Sequence, residues 1–307
     1  MGSVRSLEPG FYEALRRLTL EIAGVKLGNN TDFLAETRLA SLAREQGYAD
    51  LATLISELFT DGNTRLAVHV VSALLERDLR FFDDKGGFSS LSKTVWPSVS
   101  SAFSDDTVRI LCYGCATGQD AYSLAMALTD IEDAFPHLAP QNGFQIIAVD
   151  YPSRALERAK DGRFTHFDVQ RGLPARSLVK HFTRDGEDWL VSDRIRSRID
   201  FREFHLLSDP KSLGKFQLCL MRNALSLYAA SAQMRILRSL VPTLDTGGYL
   251  MLGTREGLND LNFGLDPVAD CPGFYKRRCA RFEDGDLEPD GDVLAIEEAP
   301  KGKRIFG

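Results

Sequence analysis

Between Gly114 and Met126 the sequence reads GCATGQDAYSLAM, directly after an apolar run, VRILCY, and directly before a helical pattern. A glycine turn at that place lets the backbone approach a ligand closely, and Thr117 and Gln119 bring side-chain hydrogen-bonding groups to it. The next strand-like run, FQIIAV, ends at Asp150, where a carboxylate is placed to accept two hydrogen bonds from a ribose 2′,3′-diol. Together these residues point to an adenosine cofactor, and the turn decides which one. A dinucleotide site needs G-x-G-x-x-G, whose second glycine lets a pyrophosphate settle on the helix N-terminus. Here the turn is G-C-A-T-G with the acidic Asp120 just behind it, which disfavours a pyrophosphate and suits the ammonium of S-adenosylmethionine or S-adenosylhomocysteine.

The elements that must hold these residues are legible around them. From about Pro9 to Leu79 apolar residues recur three and four apart in FYEALRRLTLEIAGV, FLAETRLASLAREQG, LATLISELF and TRLAVHVVSALLERDL, which predicts a helical region with starts at Asp32 and Asp61 and a stop at Gly47. Strand-like runs then alternate with helical ones: VRILCY (108–113), FQIIAV (144–149), RIDFREF (about 199–204), FQLCLM (216–221) and YLMLG (249–253). Such alternation predicts a doubly wound, mostly parallel sheet. The fold class expected is α/β, a Rossmann-like domain with a small β-rich insertion, preceded by a small all-α domain. We divide the chain as 1–82 helical, 83–280 α/β with 163–198 as the insertion and a candidate partner-binding lobe, and 281–307 an acidic disordered tail.

Composition narrows the classes. With 37 Lys and Arg against 43 Asp and Glu, the net charge of −6 argues against nucleic acid and anionic membranes as general partners. The chain shows neither a secretion leader nor a long apolar span, and a cytoplasmic protein is expected. Cys112 and Cys115 form a CxxC, but no second pair accompanies it and Cys112 falls inside a strand pattern, so packing is expected. The five histidines lack ligand spacing, and no metal site is expected.

With GCATGQDAYSLAM, AVDYPSRALERAKDGRF, IDFREFHLL, FQLCLMRNALSLY and GGYLMLGTREGL in that order, the chain resembles the CheR-type chemotaxis receptor methyltransferases over about residues 10–278. The resemblance implies a helical N-terminal domain, a methyltransferase domain with a β-subdomain, and methyl transfer from S-adenosylmethionine to receptor glutamates. The implied partner is a protein, a chemoreceptor or another signalling protein. It also implies a cofactor site at Gly114, Thr117, Gly118, Asp120, Asp150, His205, Leu206, Arg222 and Asn223.

Departures from the family pattern cluster elsewhere. Its T-T-N-x-T-x-F-F-R-E signature corresponds to LERDLRFFDD, with Arg77 for the asparagine, Leu79 for a threonine and Asp83 for the arginine. Its R-N-V-x-I-Y-F tyrosine is Leu227, with Tyr228 one residue late. Asp83 would repel a substrate carboxylate: two like charges about 4 Å apart at an effective dielectric near 20 cost roughly 4 kcal/mol, about a thousandfold in rate. Arg80 and Tyr228 are the residues that would have to compensate. The second helix, DFLAETRLASLARE, sets Arg38 and Arg44 against Asp32, Glu36 and Glu45, so its attraction to an acidic receptor helix is weak. We therefore assign no catalytic residue and expect a catalytically degenerate regulatory or interaction protein. The alternative is an active methyltransferase with a changed acceptor.

Overall fold

A computed structural model describes residues 9–28, 32–60, 64–75, 77, 79–151, 154–258 and 263–278 of the protein. The expected helix start at Asp61 and the expected acidic tail, 281–307, lie outside the described residues.

Among the described residues four helices come first: α1 (Pro9–Ala23), α2 (Asp32–Glu45), α3 (Leu51–Thr60) and α4 (Thr64–Leu74). Their apolar stripes meet in a core of their own that includes Leu15, Leu39, Leu54, Ile55 and Val70. Gly47 follows α2 at φ +80°, and this left-handed residue lets Tyr48 N–H donate back to Ala43 O at 2.9 Å. Two short helices, α5 (Lys85–Ser90) and α6 (Trp96–Ala102), joined by one wide turn, lead into the sheet.

The sheet contains β1 (Val108–Tyr113), β2 (Phe144–Asp150), β6 (Ile199–Glu203), β7 (Phe216–Met221), β8 (Leu244–Leu252), β9 (Leu265–Pro267) and β10 (Phe274–Arg277), ordered β6-β2-β1-β7-β8-β10-β9. The first five are parallel, and β10 runs antiparallel to both β8 and β9. Six strands thus keep the 3-2-1-4-5-6 order of a doubly wound sheet, with a reversed strand inserted before the last. β1 is buried on both faces: Ile110 and Cys112 pack under α7 (Gln119–Ala134), while Leu111 and Tyr113 pack against the core that also holds α12 (Ala230–Leu240). Cys115 joins the α7 side of the core, and burial pushes the Cys112 and Cys115 thiols above their ordinary value.

Between α8 (Arg154–Asp161) and β6 the chain builds a three-stranded antiparallel sheet from β3 (Arg163–Phe164), β4 (Phe182–Asp185) and β5 (Asp188–Val191), with α9 (His166–Gln170), α10 (Ala175–His181) and α11 (Asp193–Arg196) around it. The expected fifth strand, 249–253, begins earlier than its apolar run. Leu244 already pairs with Phe216, and the glycines of LDTGG form an irregularity before Tyr249 pairs with Leu218. A Cβ on Gly248 would stand 2.9 Å from Asp245 O and 3.0 Å from Gln217 O, so the crowded backbone there requires glycine.

Candidate functional site

The β1 to α7 turn meets the tips of β2 and β7. Gly114 has φ +82°, and both its N–H and that of Cys115 donate to Val149 O, at 2.8 and 3.0 Å. A Cβ on Gly114 would lie 2.8 Å from the Ala224 Cβ, which fixes the glycine sterically as well as conformationally. Ala116 follows at φ +45°. Gly118, at φ +86°, faces protein: its absent Cβ would meet Ala159 at 3.0 Å and Phe201 and Tyr122 at 3.2 Å, so it permits α7 to pack closely. Thr117 Oγ1 donates to Gln119 Oε1 at 2.5 Å at the polar end of the cleft, beside Leu79, Arg158 and Asp168.

Asp150 ends β2 as a convergence point. Its Oδ1 accepts from Tyr151 N–H at 2.7 Å, and its Oδ2 accepts from Ala116 N–H at 2.5 Å and from Arg77 Nη2 at 3.1 Å. The same Arg77 Nη2 donates to Gly114 O at 2.5 Å, and Nη1 donates to Asn223 O at 3.3 Å. One guanidinium therefore bridges the turn, the β2 tip and the loop after β7. Three adjoining hollows at this end of the sheet all have Arg77 in their walls.

His205 and Leu206 wall the apolar hollow together with Tyr151 and Leu75. His205 Nδ1 accepts from Leu207 N–H at 3.2 Å, which leaves Nε2–H to donate to Ile22 O at 2.9 Å and ties the loop to α1. Leu206 is buried and its carbonyl accepts from the Tyr113 hydroxyl at 2.9 Å. Residues 24–26 run beside 227–229: Lys26 N–H donates to Leu227 O and Ala229 N–H to Gly24 O, both at 3.1 Å, so the helical region closes one side of the hollow.

Asp120 does not serve as an open acid for a cofactor ammonium. It is buried and accepts from Arg222 Nη1 at 2.6 Å. Desolvation raises its carboxyl above the ordinary value, with the charge of Arg222 opposing. Arg222 in turn lies 5.3 Å over the Phe88 ring, so the pair sits behind the site as support. Asn223, at φ +54°, is shaped by a carboxylate the sequence reading did not single out. Glu256 accepts from the N–H groups of Asn223, Ser226 and Gly253 at 2.8 to 2.9 Å and binds the β7 and β8 loops together.

Among the positions that depart from the family pattern, Asp83 is exposed and its Oδ2 accepts from Asn223 Nδ2 at 3.3 Å, at the rim of the site. Arg80 is exposed, whereas Leu227 and Tyr228 line the hollow, and burial pushes the Tyr228 hydroxyl above its ordinary value, with Asp150 adding to the rise.

Residues 78–268 match the family model "CheR methyltransferase, SAM binding domain". The chain belongs to the CheR methyltransferase family. It is similar to Chemotaxis protein methyltransferase 1 of Pseudomonas aeruginosa, 34% identical over 268 residues covering 87% of this chain and 97% of that protein. It is similar also to Chemotaxis protein methyltransferase Cher2 of Pseudomonas putida, 32% identical with 85% and 95% covered. A solved structure, PKMT2 from Rickettsia typhi, aligns over 58% of this chain and 26% of its own at 15% identity and a TM-score of 0.32.

The site's groups fit the cofactor of a CheR protein. Gly114 O and the Asp150 carboxylate are acceptors that ask for an ammonium and ribose hydroxyls, and the apolar hollow between Tyr151 and Leu206 suits an adenine. When bound, that cofactor supplies an electrophilic methyl group. No helix among the described residues is long and apolar enough to cross a membrane.

Proposed function

We propose that this CheR-family protein keeps an S-adenosylmethionine or S-adenosylhomocysteine pocket, methylates receptor glutamates poorly, and acts in the cytoplasm as a regulatory or interaction protein in chemotaxis or related signalling. The observation that carries this reading is the Asp83 carboxylate at the rim, held by Asn223, where the family resemblance calls for an arginine. Glutamate is already ionised near pH 7, so transfer to it depends on positioning and desolvating a carboxylate rather than on proton movement. An exposed aspartate at the entrance works against that step, and the nearest arginine along the chain, Arg80, is solvated. The face of α2 supports the same reading. Of the two α2 arginines, Arg38 Nη1 is turned onto Leu74 O at 2.8 Å, while Arg44 is exposed on a helix that also carries Asp32 and Glu45, so the face presents little net positive charge.

A second reading, an active protein methyltransferase with altered acceptor specificity, draws on Tyr228. Although one residue out of step, its ring lines the hollow close enough to Asp150 to feel its charge. Methyl transfer from labelled S-adenosylmethionine to chemoreceptor fragments separates the two. No transfer above background is expected, alongside measurable S-adenosylhomocysteine binding, whereas transfer that collapses in Asp150→Ala favours the second reading.

A further inference from the structure

Arg77 holds the polar anchors that a cofactor needs. Its guanidinium donates to Gly114 O at 2.5 Å, to Asp150 Oδ2 at 3.1 Å and to Asn223 O at 3.3 Å, and only 12% of the side chain is exposed. Carbonyl, carboxylate and carbonyl form a set of acceptors around one position, and any occupant must bring donors to it. A guanidinium does so with a positive charge, as an ammonium does, and it faces the same carboxylate that a ribose diol would use. The geometry points to Arg77 as a built-in competitor of the cofactor: the ligand engages Gly114 O and Asp150 only as Arg77 gives them up. This deepens the reading that the pocket takes an adenosine cofactor and is independent of whether anything is methylated.

The position of Arg77 along the chain gives the competition a consequence. It lies between α4, which ends at Leu74, and the segment whose Phe81 N–H donates to Arg171 O at 3.0 Å and whose Phe82 N–H donates to Ser123 Oγ at 3.0 Å. Release of Arg77 removes its hydrogen bonds between the junction and the sheet at the moment of binding. Cofactor level is thereby converted into a change at the junction, which suits a regulatory protein better than an enzyme working at saturation.

Calorimetric titration with S-adenosylhomocysteine tests this on the full chain. Arg77→Met keeps the length of the side chain and removes its donors and charge, and is expected to bind at least tenfold tighter than the unaltered protein, equivalent to about 1.4 kcal/mol. Arg77→Lys, which keeps a cation, is expected to fall between them. Equal or weaker binding in Arg77→Met overturns the proposal, because Arg77 would then be neutral toward the ligand or help to hold it. Absence of binding in all three overturns it together with the reading that the pocket is kept, whereas binding without tightening in Arg77→Met overturns this proposal alone. Should Arg77→Met fail to fold by thermal denaturation, limited trypsin digestion of the unaltered chain decides: added S-adenosylhomocysteine is expected to speed cleavage after Arg77, and slower cleavage overturns the proposal.

Discussion

The places of Gly114 and Asp150 at strand tips were readable from the sequence because both residues stand at the end of unmistakable apolar runs. Arg77 was readable only as a substitution. Its contacts with Gly114 and Asp150 span 37 and 73 positions, and no local pattern encodes contacts at that separation. Asp120 illustrates the same limit in reverse, since the residue that neutralises it, Arg222, lies 102 positions away. Under the proposed function, Arg77, Asp83 and Leu227 act together to weaken methylation. Arg77→Asn, Asp83→Arg and Leu227→Tyr combined, which restore the family's residue types, are expected to raise receptor methylation from background to a measurable rate. Because Asp83 is exposed, its charge reversal contributes only about 1 kcal/mol, roughly a fivefold share of that gain. A radiolabel transfer assay reads the change.

Elements position these residues through two docking contacts. The first is the pair Phe81 and Phe82. Phe81 is fully buried and meets Phe164 of β3 edge-on at 4.9 Å and Phe182 of β4 at 5.8 Å, while the backbone of Gly172 lies so close to Phe81 O that a Cβ there would clash at 2.0 Å. Phe81→Ala is expected to cost about 3–5 kcal/mol in urea denaturation, the usual range for emptying a packed phenyl site. The second is ionic: Lys180 of α10 and Arg194 of α11 reach Asp130 and Asp133 of α7, and His181 Nε2–H donates to Asp130 Oδ1 at 2.9 Å. Burial holds the His181 imidazole below its ordinary value, opposed by Asp130 and reinforced by the cations Lys180 and Arg194. The folded state therefore prefers the neutral ring and the unfolded chain takes up the proton first. This contribution is complete above about pH 6.5 and is lost as pH falls through the lower folded value. Melting temperature is expected to drop between pH 7 and 5.5, and to drop less in His181→Gln. The long buried strands β1, β2 and β7 were legible because two-sided burial writes continuous apolar runs. β9 and β10, three and four residues long with Pro267 in one of them, carry no such signal and are fixed by pairing with β8 and with each other.

At the scale of the whole molecule the helical region and the sheet share one wall. Gly24 to Lys26 run along Leu227 to Ala229, His205 bonds back to α1, Arg154 of α8 pairs with Glu45 of α2, and Arg77 crosses from the junction into the pocket, so several contacts among the described residues connect the N-terminal helices to the cofactor end of the sheet. The sequence showed two compositional regions and the motifs of the family, but the closure of one upon the other depends on single hydrogen bonds between distant loops. The proposed function is that of a pocket kept beside an altered acceptor site. Its most direct measurement is a single-turnover methyl-transfer experiment in which excess protein, preloaded with labelled S-adenosylmethionine, is mixed with chemoreceptor fragments. The label is expected to remain on the cofactor, and the cofactor to stay protein-bound. Label appearing on receptor glutamates, and disappearing from them in Asp150→Ala, would contradict it.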